Sequence, residues 1–168
     1  MEKKEDLRIT KTKKLLYEAL LKEMETKAFE DIKVNDLCTI SMINRSTFYS
    51  HYNDKYDLFV DLLNTLKKEL FDKLDENKFI VSTKEYYMEL IRLLLDHLEE
   101  HKKTYYSIIL SNRNSLVIDI ILDTTIKDIN KRLNISNIDR KSVPADVIIN
   151  FYLGAVSMVG LNYLKSDN

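Results

Sequence analysis

Asn44, Arg45, Ser46, Thr47, Tyr49, His51 and Lys55 place an amide, a guanidinium, two hydroxyls, a phenol, an imidazole and an ammonium close together in the chain. On a helix they would fall within about three turns. Each of these groups can donate a hydrogen bond to a phosphate oxygen or a base edge. Within the stretch only Ile43 and Phe48 have an obvious reason to face inward. A short helix with such a surface is most simply read as one that enters a DNA groove. Other chemistries are weaker. His97 and His101 are four residues apart and can share one helix face, but Glu100 is expected to point elsewhere. Without a third ligand the pair reads as solvated, so no metal is expected. There is no Gly-rich phosphate loop, no Gly-x-Ser-x-Gly elbow and no Cys–His pair suited to nucleophilic catalysis. An enzyme is therefore not expected, nor a cofactor.

The elements that would carry these groups read as helices throughout. Leu15, Leu16, Ala19, Leu20 and Met24 recur at helical spacing and predict a first helix over about Thr10–Thr26. Ala28 to Ile32 reads as a turn whose Phe29 and Ile32 fold back onto that stripe. A short helix over Val34–Thr39 follows, then a turn at Ile40–Ile43. The reading helix spans about Asn44–Tyr52, with Asn44 suited to cap its amino end. A long fourth helix over Lys55–Asn77 carries Leu58, Phe59, Leu62, Leu63, Leu66, Leu70, Phe71 and Leu74 on one side. Further helices are predicted over Thr83–His101, Tyr105–Leu110, Leu116–Leu133 and Pro144–Leu164. The last is apolar nearly all round, so burial on more than one side is expected. It also holds both glycines, Gly154 and Gly160, which implies close approach of a neighbouring backbone.

The 168 residues allow one large domain or two small ones sharing a core. Two glycines and one proline exclude Gly/Pro-rich classes and disfavour an all-β fold with many tight turns. Cys38, the single cysteine, provides neither a disulfide framework nor a zinc quartet. With charged first residues and no secretory leader pattern, it suggests a reduced, cytoplasmic setting. No apolar run approaches the ~20 residues that cross a bilayer, so no membrane contact is expected. The net charge of −1 says little about nucleic acid. Residues 1–55 carry eleven Lys and Arg against ten Asp and Glu, a net +1. A DNA binder with so small an excess must concentrate its cations locally, as Lys3, Lys4, Arg8, Lys11, Lys13 and Lys14 do.

Three longer motifs carry a resemblance. Arg8 and Thr12-Lys13 precede the first stripe. Ala28-Phe29-Glu30-Asp31-Ile32-Lys33-Val34-Asn35-Asp36-Leu37 leads into the second helix. Ile43-Asn44-Arg45-Ser46-Thr47-Phe48-Tyr49-Ser50-His51-Tyr52-Asn53-Asp54-Lys55-Tyr56-Asp57-Leu58 covers the reading helix and the start of the fourth. Over about the first 60 residues the chain resembles the TetR/AcrR family of bacterial one-component transcriptional regulators. At the helix-turn-helix corner Ser41 and Met42 stand where the family usually has Ala-Gly. Met42 must accept positive φ there or shift the turn. The carboxy-terminal region faintly resembles the dihydroxyacetone-kinase activator group through Tyr86-Tyr87, His97 through Lys103, and Tyr152-x-Gly154.

The resemblance implies an all-α fold. A three-helix, helix-turn-helix DNA-binding head over residues 1–55 would join a helical effector-binding and dimerisation domain over 56–168. It implies a two-fold dimer on double-stranded DNA, acting as a repressor released by a small-molecule effector. A co-activator or protein-interaction module of the same fold, with no small-molecule inducer, is the alternative. Carried over by position, Asn44, Arg45 and Ser46 sit at the amino end of the reading helix. Arg45 is the main base-edge candidate, because its fork can bond guanine N7 and O6 together; phosphate binding is its other role. Tyr49, His51 and Lys55 resemble phosphate contacts, and Thr47 ranks below them. Val34 and Asn35 can offer backbone N–H groups to a phosphate. Phe48 and Tyr52 read as core and hinge residues, and Cys38 as inert packing. Tyr86, Tyr87, Leu90, Tyr105, Tyr106, Ile109 and Tyr152 are candidates for an effector pocket. Ile118, Ile121, Phe151, Gly154, Ala155 and Met158 are candidates for the dimer surface.

Overall fold

The computed structural model describes residues 7–76, 83–111, 120, 123 and 145–165, and among them there is no β-strand. Helix α1 spans Leu7–Met24. A single 3-10 turn at Phe29–Asp31 leads to α2, Val34–Ser41. Next come α3, Arg45–Tyr49, and the long α4, Lys55–Glu76. Then α5 covers Thr83–Glu100, α6 Lys102–Ser111 and α7 Ala145–Lys165. The chain is all-α, as the periodicities predict. Helix α1 shifts toward the amino terminus at both ends, α6 extends outward at both ends and α3 draws inward. The expected helix over Leu116–Leu133 and the connector 77–82 lie outside the described residues, apart from single helical positions at 120 and 123.

The core of the head follows from the stripe on α1. Leu16, Ala19, Leu20 and Met24 recur at three- and four-residue spacing on one face and are all buried. Phe29 and Ile32 fold back onto them as expected, with Leu37, Cys38, Phe48 and Tyr52 filling the opposite side. Leu58, Phe59 and Leu62 of α4 close the cluster, and Ile108 of α6 joins it. Phe29 meets Tyr56 edge-on and Phe59 at a tilt, each with centroids 5.2 Å apart. Burying side chains of this size contributes about 1.5–3 kcal/mol each. The apolar centre therefore does not stop at residue 55.

Packing between elements follows the same plan. Helix α1 lies against α2, α4 and α6, α4 against α5, and α7 against α5 and α6. The hydroxyl of Thr104 on α6 donates to Glu25 just past α1 at 2.7 Å. The Tyr163 hydroxyl on α7 donates to Glu99 of α5 at 2.6 Å. Within one chain α7 is not buried on more than one side. Val147, Phe151, Gly154, Ala155, Met158 and Val159 remain exposed. Among the described residues, no backbone lies over the glycines either. A Cβ at Gly154 would meet nothing within 4 Å, and one at Gly160 would meet only the Leu98 side chain at 3.5 Å.

Candidate nucleic-acid interface

The reading helix is aimed by the corner before it. Met42 ends α2 in the left-handed region, at φ 57° and ψ 28°, the one non-glycine positive φ among the described residues. Its N–H reaches back to the carbonyls of Cys38 and Thr39, and the Ile43 N–H bonds Cys38 O at 3.0 Å. These bonds satisfy carbonyls that a helix end would leave open. Met42 therefore accepts the strain and the turn does not shift. The buried Ser41 hydroxyl donates to Leu37 O at 2.6 Å, so the substituted corner leaves no stranded polar group. Asn44 occupies the position before α3 with extended backbone, but its side chain makes no cap bond. The expected cap is thus right in place and wrong in chemistry: the amide stays exposed.

Phe48 anchors α3 in the core and turns the other face outward. Asn44, Arg45, Ser46 and Tyr49 are exposed, and Thr47 and His51 are half-buried. The Arg45 guanidinium lies 5.9 Å from the Tyr49 ring centre, a cation–π distance that pre-positions both groups on one surface. Val34 is half-buried and Asn35 exposed in the first turn of α2, an end to which no side chain supplies a cap. The exposed Lys11 and Lys14 of α1 add charge to the head. Cys38 is buried, and burial pushes its thiol up, opposed by Arg45, as suits inert packing.

Lys55 departs from its expected role. Its Nζ donates to the carbonyls of Phe29, Glu30 and Ile32 at 2.8, 2.7 and 2.8 Å. An ammonium has three N–H bonds, and all three are taken. Partial burial lowers its pKa, opposed by Glu30, Asp31 and Asp54. Lys55 caps the 3-10 turn and holds the first residues of α4 against the head, which leaves no donor for a phosphate.

Sequence reasoning also missed a polar seam. The Tyr17 and Tyr52 hydroxyls both donate to Asp61 Oδ2 at 2.7 Å, and Lys13 Nζ lies 3.1 Å from the same oxygen. Burial pushes the Asp61 carboxyl up, but the bonds from Tyr52, Tyr17 and Lys13 outweigh it and hold the pKa below the usual range. The available signal was a carboxylate between Phe59 and Leu62 on an apolar stripe.

Behind the head, the expected pocket residues divide. Tyr105 packs on the head core, and burial pushes its pKa up to about 12. Tyr106 is exposed and Ile109 is half-buried. The side chains of Tyr86, Tyr87, Leu90 and Tyr152 lie outside the described residues, as do Ile118 and Ile121. Glu100, expected to point away from the histidines, does not. One ligand atom each of His97, Glu100 and His101 lie within 4.8 Å of one another. No helix among the described residues is long and apolar enough to cross a membrane.

These features define an all-α helix-turn-helix fold of the TetR type, and solved structures share it. A TetR-family transcriptional regulator of Syntrophomonas wolfei superposes with a TM-score of 0.70 at 17% identity, over 94% of this chain and 85% of that one. Lin0861 of Listeria innocua gives 0.70 at 20% identity, over 100% and 86%. The dihydroxyacetone kinase operon activator DhaS, at 0.49 and 20% identity over 92% and 83%, is too distant in shape to carry an argument. No protein-family model and no curated protein matches the chain.

Proposed function

We propose that the protein is a TetR-type transcriptional regulator that binds a two-fold symmetric operator as a homodimer. The observation that carries this is the reading helix. Phe48 locks α3 to the core while Asn44, Arg45, Ser46 and Tyr49 stand exposed on one short element. In the helix-turn-helix scheme such an element lies in the major groove while its neighbours touch phosphates. Arg45 is assigned to a base edge. Tyr49, His51 and Thr47, with the backbone N–H groups of Val34 and Asn35, are assigned to phosphates or their surroundings. Lys55 is left out, because its donors are used inside the head. The head spans about residues 1–55, and the remainder serves effector binding and dimerisation. The open apolar stripe of α7 supports a second copy as its cover. The family resemblance supports the rest: a cytoplasmic bacterial repressor, released when a small molecule binds the rear helices.

The test is binding of the purified chain to fragments of its own promoter, followed by fluorescence anisotropy over a range of salt. Each neutralised phosphate should steepen the log–log salt slope by about 0.9. Arg45→Ala should cost about 1–3 kcal/mol at one position of each half-site and relax its sequence preference. A folded protein that ignores every duplex at low salt would refute the proposal.

A further inference from the structure

We propose that His97, Glu100 and His101 form a binding site for one divalent transition-metal ion of the zinc, cobalt or nickel class, at the corner where α5 gives way to α6. Residues three and four apart share a helix face, and here the side chains follow that rule. The two imidazole centroids lie 4.9 Å apart, and the three ligand atoms fall within 4.8 Å of one another. Around a tetrahedral ion with bonds near 2.1 Å, neighbouring ligand atoms are about 3.4 Å apart. Glu100 and His101 are both exposed, so modest rotation closes that gap without disturbing the core.

A second observation concerns His97. It is half-buried, and its Nε2 meets the Tyr105 hydroxyl at 2.7 Å. An imidazole has two ring nitrogens, so this bond leaves one for an ion. A hydrogen bond on the other nitrogen is the usual device that orients a ligating ring. The Tyr105 ring also lies 6.1 Å from the His101 ring and so flanks both imidazoles. From α4, Lys73 opposes and Glu69 favours positive charge at His97. Two imidazoles and one carboxylate suit zinc, cobalt, nickel or copper; magnesium and calcium prefer all-oxygen sets. Three protein ligands leave a position for water or an exogenous group.

An ion there would staple the last turn of α5 beside the helix that carries Thr104 and Ile108 into the head. The site does not depend on DNA binding, and its test uses none. The full chain, stripped with chelator, is titrated with cobalt(II) and watched by visible absorption. One equivalent per chain should give a d–d band that zinc(II) abolishes and magnesium leaves unchanged. Zinc should also raise the Tm of the wild type, since a ligand bound only to the folded state stabilises it. His101→Ala, at an exposed position, should fold normally by circular dichroism yet lose the band and the Tm rise. Its cobalt affinity should fall by at least the roughly 10–100-fold that loss of an outer partner costs. Tyr105→Phe should keep the stoichiometry and weaken the affinity about 10-fold. No band in the wild type, or equal titrations of wild type and His101→Ala, would overturn the proposal.

Discussion

Phe48 and Phe151 are the same residue on two helices of this chain, yet the first is fully buried and the second is 73% exposed. Around Phe48 everything faces inward: Leu16, Leu20, Phe29, Leu37 and Leu58 close a core that the chain completes by itself. Around Phe151, Val147, Met158 and Val159 are also open. Helix α7 is the more apolar of the two elements, so apolarity alone does not decide where a side chain ends up. The number of neighbouring surfaces one chain can bring to a helix decides it. The head is a finished unit, whereas α7 leaves an apolar stripe open. Exposed apolar patches of this kind mark interaction surfaces.

Breaking the finished unit should have the largest effect. Phe48→Ala removes the anchor of α3 and its ring contacts with Tyr49 and Tyr52 at 5.4 and 5.8 Å. Such truncations cost about 3–5 kcal/mol, a large part of the ~5–15 kcal/mol that holds a domain folded. Denaturant unfolding should show the unfolding free energy in water falling by that amount. A loss below about 1 kcal/mol would mean that the head is not closed around this ring.

The complementary change strikes the open half. Phe151→Asp should leave the single chain folded, because the side chain it replaces is largely exposed, but should divide the proposed dimer. A central aromatic contributes at least about 2 kcal/mol to an interface, equivalent to about a 30-fold rise in the dissociation constant. Sedimentation equilibrium distinguishes the outcomes. A wild type that is monomeric at high concentration would break the comparison, since α7 would then be open in the working protein.

Much of the head was legible because its signals are local. The stripe of Leu16, Ala19, Leu20 and Met24 is a period, and the Ser41-Met42 corner is a position in a motif. What escaped were meetings of distant segments. The Lys55 ammonium finds carbonyls at 29, 30 and 32 only after the turn is folded. Ile108 reaches the head core from more than 40 residues beyond Phe59. Glu100 turns toward His97 because a helix end brings positions three apart onto one face. The stripe of α7 was legible as an apolar face, and it stays open in the single chain for a different reason. A sequence marks a surface that needs covering, not which chain covers it.

The corner offers a smaller test, with the opposite sign. Met42 is 92% exposed and left-handed, so its side chain adds strain without packing. Left-handed backbone costs an L-residue roughly 1–2 kcal/mol. Met42→Gly relieves this but gives the unfolded chain more freedom. The net should be a gain of about 1 kcal/mol, or a Tm rise of about 2–4 °C. A loss of stability would show that the methionine contributes a contact in the assembled protein.

The finest probe of the closed head is its acid response. Asp61 Oδ2 accepts from Tyr17 and Tyr52 and pairs with Lys13, and these partners hold its pKa below the usual carboxylate range. On acidification the unfolded chain therefore takes up this proton before the folded chain does. The carboxylate's stabilisation is complete above the unfolded value and is lost as pH falls through the folded one. Asp61→Asn should lower stability at neutral pH, where the charge-assisted bonds are lost. It should also flatten the decline below about pH 4, because no carboxyl remains there to titrate. Parallel stability-against-pH curves for the two proteins would show that the seam between α1 and α4 is held by packing, and that the head closes without its carboxylate.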